Sequence, residues 1–436
     1  MNRYNNYHKH THYSNLRTLD TITKPEEYMQ RAVELGHTTY FTGEHGFQGN
    51  VYEAQTLCEK YNLKPIYSVE AYYVDDIEDK SDRKAYHIML IAMTEKARCE
   101  INKIMSIANT DGFYYKPRIG LKELLSLTPT DTVVTTACIA SKISDLIYYE
   151  KDEYGHEHFV GYAGEEEQKI FLESFLFPLM NHFKNNLYLE VQSHKAKKQF
   201  HHNIVVLALN KEYNIPLIHA NDSHYIYEGD SYYRDLFLKA KGIFYEEEKG
   251  FKLDYPDYDT ILERYKAQGV LTQEQAKEAL DNTLIFDNAE PCCTDKEFKI
   301  PKVPNKFIKE ELGDGFSNED SDKVLKEILK RSWNQKKKSI SKDKHKEYVN
   351  AIYYETDIVQ KCGMSDYFIL DHMIVNRAIN KYDAVLTRSG RGSAVSFLIN
   401  NLLGLTEVDR IKAPTKLYPT RFMSAERILS SRSLPD

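Results

Sequence analysis

The stretch Thr23–Gly46, TKPEEYMQRAVELGHTTYFTGEHG, decides how this chain is read. Its first part predicts a helix. Thr23 and Glu26 have capping-box spacing, and Pro25 sits in the first turn, where its missing N–H costs nothing. Tyr28, Met29, Ala32 and Val33 share one face, and Gly36 can close the end. The β-rich run TTYFTG follows and delivers Glu44, His45 and Gly46. The unit is a helix, a short strand, and a polar group where the strand ends.

That unit recurs. A helix near 50–62 precedes PIYSVEAYYV, which carries Glu70; YHIMLIAM carries His87, and TVVTTACIA carries Cys138. NLYLEVQ, a helix near 195–213 and the strand IPLIHAND then lead into Asp222 and His224. Such alternation predicts an α/β fold, a βα-type barrel or parallel sheet. Sites in such barrels are built at the carboxyl ends of strands. Residues 226–300 turn helical and charged and end in the proline-spaced KIPKVP, which marks a boundary. The expected organisation is a first domain over 1–240, a mostly helical connection over 241–304, and a second domain over 305–436.

Length and composition agree with this. The 436 residues leave room for about two or three domains. No apolar run approaches the roughly 18 to 20 residues of a membrane helix, and the opening MNRYNNYHKH lacks the apolar core of a secretory leader. Six scattered cysteines fit free thiols in a reducing cytoplasm. The net charge of −7 does not mark a polyanion binder, although bound cations would offset carboxylates counted as bare charge.

The opening HKHTHYSNLRTLD adds His8, His10 and Asp20 to the groups at the strand ends. The full set is His8, His10, Asp20, His45, Glu70, His87, Cys138, Asp222 and His224. Taken singly, His45 or His87 beside an apolar strand reads as a core histidine, and Cys138 as packing. His8 and His10 are stronger, since alternate residues of an extended segment point the same way. Nine such groups after successive strands carry the inference together. Imidazoles, carboxylates and a thiol suit zinc, manganese or iron better than magnesium, in a cluster of two or three ions. Clustered cations acidify water and clamp the attacking and leaving oxygens of a phosphoester. Within the set, Glu70 can bridge two ions.

The motifs HKHTHYS, TGEHG, SVEAYY, AYHIMLIA, GFYYKPRIGL, TTACIASKI and HANDSHYIY resemble the PHP (polymerase and histidinol phosphatase) domain. The version is the one at the amino end of bacterial and phage C-family replicative polymerases, the DNA polymerase III alpha subunits. The resemblance implies a distorted βα barrel and makes all nine residues ligands of a trinuclear centre. It also implies a metal-dependent 3′-5′ exonuclease, with His8, His10, Glu70, Asp222 and His224 at the catalytic core. The sequence departs from the family in carrying Glu44 where aspartate is usual and Ser68 where glycine is common, and in three extra residues between Ser14 and Asp20. His12 falls on the opposite face of the opening strand. His156 and His158 read as part of a solvated, charged loop, and His201 and His202 as surface residues of a helix.

GMSDYFILDHMIVNRAI and LTRSGRGSAVSFLINNLLGLTEVD are similar to the first palm segment of the same polymerases, an α+β domain. There Gly390, Arg391, Gly392 and Ser393 open a helix. Small residues let backbone N–H groups approach a triphosphate, and Arg391 can pair with its oxygens. The family places Gly392 and Ser393 at the incoming nucleotide. The lysine run over 336–346 reads as a solvated face or a phosphate-backbone contact. The family's palm continues through Pro-Asp-x-Asp-x-Asp, whose later aspartates hold two magnesium ions; this sequence reads SLPD to Asp436. DNA synthesis is therefore expected only where a second polypeptide completes the palm. The expected partners are DNA, as primer-template or single-stranded 3′ end, and a deoxynucleoside triphosphate, with no membrane. The rival expectations are a free-standing phosphatase and a catalytically silent scaffold.

Overall fold

The computed structural model describes residues 2–154, 157–243, 250–295, 299–316, 320–387 and 392–431. They form two compact units, Met1–Thr294 and Asp295–Asp436. The first unit carries strands β1 (Thr39–Phe41), β2 (Lys64–Ile66), β3 (Ser68–Tyr73), β4 (Tyr86–Ala92), β5 (Phe113–Tyr114), β6 (Lys116–Ile119), β7 (Thr132–Thr135), β8 (Ile147–Lys151), β9 (Glu157–Tyr162), β10 (Leu187–Val191) and β11 (Leu217–His219). Seven of them make one sheet in the order β11-β10-β7-β4-β3-β6-β5.

The sheet curls into a distorted barrel. β1 pairs in parallel with β2, and the backbone beyond β1 runs on along β3 through a bridge between His45 and Glu70. At the other edge Lys9 bridges to Ser223, just past β11, so the first residues of the unit meet its last strand. The opening segment and the stretch after β1 are joined through one side chain. Glu44 accepts from the Thr11 N–H at 2.9 Å, the Thr11 hydroxyl at 2.5 Å and the Ser14 hydroxyl at 2.6 Å. Asn50 completes its shell at 2.7 Å. Glu44 is fully buried, and these donors offset the cost of removing its charge from water.

The barrel is less regular than the alternation predicts. β10 is parallel to β7 and β11, but β4 is antiparallel to both β3 and β7. The link from β3 to β4, residues 74–85, contains no helix, and antiparallel neighbours need no crossover. Both faces of these strands are buried. Met89 and Ile91 of β4 point into the barrel with Phe41, Val133, Ile218 and Phe286, while Ile88 and Leu90 pack outward against the helices.

The helix read at Thr23–Gly36 spans Pro25–Glu34 and buries Tyr28, Met29 and Ala32, with Val33 turned to solvent. Its cap sits one residue later than the sequence suggests. The Lys24 N–H is taken by the Glu27 carboxylate at 2.7 Å, because the Thr23 hydroxyl is already committed to the His224 carbonyl at 3.0 Å.

The segment expected as a connection over 241–304 belongs mostly to the first unit. Helices Tyr258–Gln268 and Gln273–Asn282 bury Ile261, Tyr265, Ala276 and Leu280 in its outer layer. Tyr265 reaches the Val191 carbonyl of β10 at 2.9 Å, and Asn282 the Leu217 carbonyl of β11 at 2.7 Å. The charges noticed in the sequence occupy the outer faces of helices whose inner faces are apolar.

Two histidine readings change. The charged insertion is a hairpin of β8 and β9 with His158 exposed on a strand; His156 lies outside the described residues. His202 is buried, not a surface residue, its Nε2 lying 3.2 Å from the Ser141 hydroxyl. The helix Lys197–Tyr213 lies against the barrel, so a polar-looking face is turned inward.

In the second unit the longer helices are Asn305–Leu312, Ser321–Lys336, His345–Lys361 and Ser365–Tyr382. Leu325, Ile328, Val359, Phe368, Ile369 and Phe397 lie at its core. Among the described residues this unit contains no strand, where an α+β domain was expected. The apolar run Ala384–Leu386 follows Asp383, which is in a left-handed conformation, and the Ala384 N–H donates back to the Ala378 carbonyl at 3.1 Å instead of to a strand.

Candidate metal centre

His8 and His10 flank Lys9 on the segment paired to Ser223, so both imidazoles face one way. Lys9 points oppositely, its ammonium donating to the Tyr40 hydroxyl at 2.9 Å and lying 4.1 Å over that ring. His45 and Glu70 come together because the chain after β1 pairs with β3, and Glu70 and His87 because β3 pairs with β4. Cys138 follows β7, and Asp222 and His224 follow β11. Two of these loops hold a non-glycine residue at positive φ, Ala137 at 59° and Asp222 at 52°. Such strain persists only where the surroundings impose it.

All nine groups meet in one basin. Glu70 is its hub, with His87 Nδ1 at 2.8 Å, His8 Nε2 at 3.1 Å, His10 Nε2 at 3.4 Å and His45 Nδ1 in close contact. Asp222 Oδ1 lies 3.3 Å from His8 Nε2 and 3.1 Å from His10 Nε2. Asp20 Oδ2 lies 3.2 Å from His45 Nε2 and 3.4 Å from His224 Nε2. Cys138 Sγ is 3.7 Å from His87 Nδ1 and 3.9 Å from Glu70 Oε1. Each residue is buried except His87 and Asp222, which form the partly open side. His12, on the opposite face, is exposed.

The arrangement fits cations. Three triads place one ligand atom from each member within 4.8 Å of the others: His8–His10–Asp222, His45–Glu70–His87 and His10–His45–His224. Five ligand atoms are buried without a hydrogen bond of good geometry and crowd mainly against one another: His10 Nε2, Asp20 Oδ1, His45 Nδ1, Glu70 Oε2 and Asp222 Oδ1. Buried nitrogens and carboxylate oxygens pressed together in one space mark a place built for something electropositive.

The outer nitrogens of three imidazoles are held, which turns each inner nitrogen toward the basin. His8 Nδ1 faces Glu190 Oε1 at 2.9 Å, and His224 Nδ1 donates to the Asp222 carbonyl at 2.7 Å. His10 Nδ1 donates to the Ser14 hydroxyl oxygen at 3.1 Å, since that hydroxyl's own proton goes to Glu44. Glu190 is itself fixed by Tyr7 at 2.7 Å, Gln192 at 2.9 Å and Thr135 at 3.0 Å. Such outer partners set the tautomer and orientation of metal-binding imidazoles.

Electrostatics agree with the geometry. Burial pushes the Glu70 carboxyl up, but His87, His45 and His8 outweigh it and hold it well below its ordinary value. Burial acts the same way on Asp20, where His224 and His45 prevail. Burial, then Asp222 and Glu70, push the Cys138 thiol up, so that thiol gives up its proton only to a cation. Burial and the neighbouring His45 push His10 down to about 3, leaving it a neutral donor of its Nε2 lone pair.

The sequence reading missed Glu190, Ser14 and the role of Glu44. A signal existed for Glu190, a carboxylate in the middle of β10, where all five residues are buried. In the second unit, Gly392 (φ +79°) and Ser393 precede a 3-10 turn, Ala394–Ser396, and a five-residue helix, Leu398–Leu402, so the expected helix start lies further along. Gly390 and Arg391 lie outside the described residues. Of the lysine run, Lys336 pairs with Asp409 at 2.9 Å, while Lys338, Lys342, Lys344 and Lys346 are exposed.

Comparison with known proteins bears on both units. Residues 6–194 match the family described as the PHP domain, and residues 325–436 the family described as the bacterial DNA polymerase III alpha NTPase domain. The DNA polymerase III subunit alpha of Campylobacter jejuni is 27% identical over 457 residues, covering 100% of this chain and 36% of its own length. That of Aquifex aeolicus is 27% identical over 460 residues, covering 98% of this chain and 35% of itself. That of Borreliella burgdorferi is 26% identical, covering 100% and 35%. The chain thus spans about a third of the length of the relatives it matches. A solved metal-dependent phosphoesterase from Bifidobacterium adolescentis aligns with 59% of this chain and 94% of its own at a TM-score of 0.31 and 14% identity, too distant to carry weight.

Proposed function

We propose, for a chain that carries a PHP domain and is homologous throughout to the amino-terminal portion of DNA polymerase III alpha subunits, that the first unit is a multi-metal phosphoesterase acting on DNA 3′ ends in replication. The observation that carries this reading is the convergence of nine ligand-type groups in one basin, three triads of which bring their ligand atoms within 4.8 Å of one another.

The mixed nitrogen, oxygen and sulfur set suits zinc, manganese or iron. His8, His10 and Asp222 would hold one ion, and His45, Glu70 and His87, with Cys138 beside them, a second. His224 and Asp20 would hold a third. Bound there, the ions supply Lewis acidity to a phosphoester and acidify the attacking water. The protein's share is orientation. Glu190 and Ser14 fix the orientation of His8 and His10 so that their inner nitrogens face the basin, and Glu70 holds its charge at its centre. The partly open side at His87 and Asp222 is where a chain end would enter. The second unit would contribute nucleotide contacts through Gly392 and Ser393, with Gly390 and Arg391 completing that motif. DNA and a deoxynucleoside triphosphate are the corresponding partners.

The test compares a 3′-mismatched primer with a small phosphomonoester as substrates, after metal content has been measured. Removal of the mismatched nucleotide, lost in His10→Ala and Asp222→Ala, is the expected outcome. Turnover of the monoester alone would favour a free phosphatase. A metal-loaded protein that hydrolyses neither is a structural scaffold.

A further inference from the structure

Beside the metal basin lies a recess of about 340 Å³ whose lining differs in chemistry from the basin itself. One guanidinium, Arg17, three carboxamides, Gln48, Asn102 and Asn109, and the Phe47 ring line it, and no carboxylate does. Its volume falls within the range of small-molecule sites, roughly 300–1,000 Å³. The recess is contiguous with the basin, because it also includes Gly46, the residue after His45. A Cβ at Gly46 would lie 2.9 Å from the Tyr72 ring, and that ring faces His45 at 6.4 Å and His87 at 5.3 Å.

Three details point to a planar, anionic ligand. Arg17 Nε is buried with no partner, although one of its terminal nitrogens donates to Asn109 at 2.7 Å. Phe47 is folded across Gly49, where a Cβ would meet the ring at 2.2 Å, so glycine alone lets the ring lie there. Its outer neighbour is Tyr13, stacked at 6.4 Å. Beyond the recess, cations alternate with aromatic rings. Arg17 lies 5.9 Å from the Phe113 ring and Arg83 3.7 Å over Tyr115, while Lys116 caps the buried Tyr72 ring at 4.4 Å. Phe113 and Tyr115 are 43% and 56% exposed, and Tyr115 is held at φ +59°. Rings that accept bases, spaced by cations that accept phosphates, are how proteins hold single strands without reading sequence.

We propose that this recess is a nucleotide subsite for single-stranded DNA, with Phe47 stacking on a base, Arg17 pairing with the adjoining phosphate, and Phe113 and Tyr115 extending the track. The assignment deepens the phosphoesterase reading and rests on it for the direction of the strand. No carboxylate competes for the anion inside the recess, whereas the basin beside it is rich in them and needs cations to accept a phosphate.

The experiment uses the 436-residue chain with a 5′-fluorescein oligothymidylate, its anisotropy titrated in EDTA so that binding is read without hydrolysis. Arg17→Ala and Phe47→Ala are each expected to raise Kd about fivefold or more, with melting temperatures unchanged. Lys198→Ala, which removes a cation paired with Glu157 on the distant hairpin, controls for general charge and should leave Kd unaltered. Wild-type protein that does not bind in EDTA, or variants that bind like it, overturn the subsite. Hydrolysis of the same oligonucleotide is then followed separately with manganese or zinc. Binding that depends on Arg17 and Phe47 without hydrolysis under either ion leaves the subsite standing and removes the phosphoesterase reading.

Discussion

Glu190 Oε1 lies 2.9 Å from His8 Nδ1, and both side chains are fully buried. The carboxylate and the imidazole therefore act as one unit, with the inner nitrogen of His8 directed at Glu70 and Asp222. Glu190→Gln keeps the shape and removes the charge. It should weaken metal affinity about 10- to 100-fold. Competition against a chelating dye measures this directly, and an unchanged affinity would show that His8 needs no outer partner.

Ser14 joins three parts of the site through one oxygen, which accepts from His10 Nδ1 at 3.1 Å and the His45 N–H at 3.2 Å and donates to Glu44 at 2.6 Å. Ser14→Ala leaves those donors buried without an acceptor, at a cost of about 1–3 kcal/mol. The melting temperature of the first unit should fall by several degrees, and His10 should lose its preferred tautomer, visible as a changed imidazole nitrogen shift by NMR. Ser14→Thr should restore most of both.

Removing cations leaves three ionised carboxylates and a strained Asp222 around orphaned nitrogens. Metal at a hundredfold excess over its Kd should stabilise the first unit by about 2.7 kcal/mol. Calorimetry with and without EDTA should move the transition of Met1–Thr294 and leave that of Asp295–Asp436 in place. A chelator-independent scan would contradict a bound cluster.

Acid should loosen the first unit before its carboxylates titrate. Burial pushes His37 and His202 down to about 4, from about 6.5 in the unfolded chain. A base with a depressed folded pKa stabilises the fold above its unfolded value. That stability is lost as pH falls from about 6.5 to 4, because the unfolded chain binds the proton first. Each histidine accounts for at most about 3 kcal/mol. In denaturant titrations across that window His202→Gln should reduce the proton uptake on unfolding by about one; an unaltered slope would mean that His202 is not neutral in the fold.

The set was legible in the sequence because its members recur beside β-rich runs, although Glu70 stands inside β3 and His87 near the start of β4 rather than where a strand stops. Strand direction was not. β4 reads like its neighbours, and only the helix-free link over 74–85 tells that it runs the other way. Glu190 escaped because a carboxylate inside an apolar strand looks like an exposed face until both faces prove buried. His202 escaped for the converse reason, a polar helix whose inner face meets Ser141. In the second unit Gly392 and Ser393 are followed by a 3-10 turn before a five-residue helix, a delay that neither propensity nor spacing foretold.

The pairing of Lys9 with Ser223 carries a consequence for biosynthesis. Ribosomes release His8 and His10 first and Asp222 and His224 last, so the nascent polypeptide exposes a chelating leader long before its counterpart exists. Closure of the barrel is therefore a late event, and the groups of the opening segment meet Asp222 and His224 only when the two ends of the first unit come together.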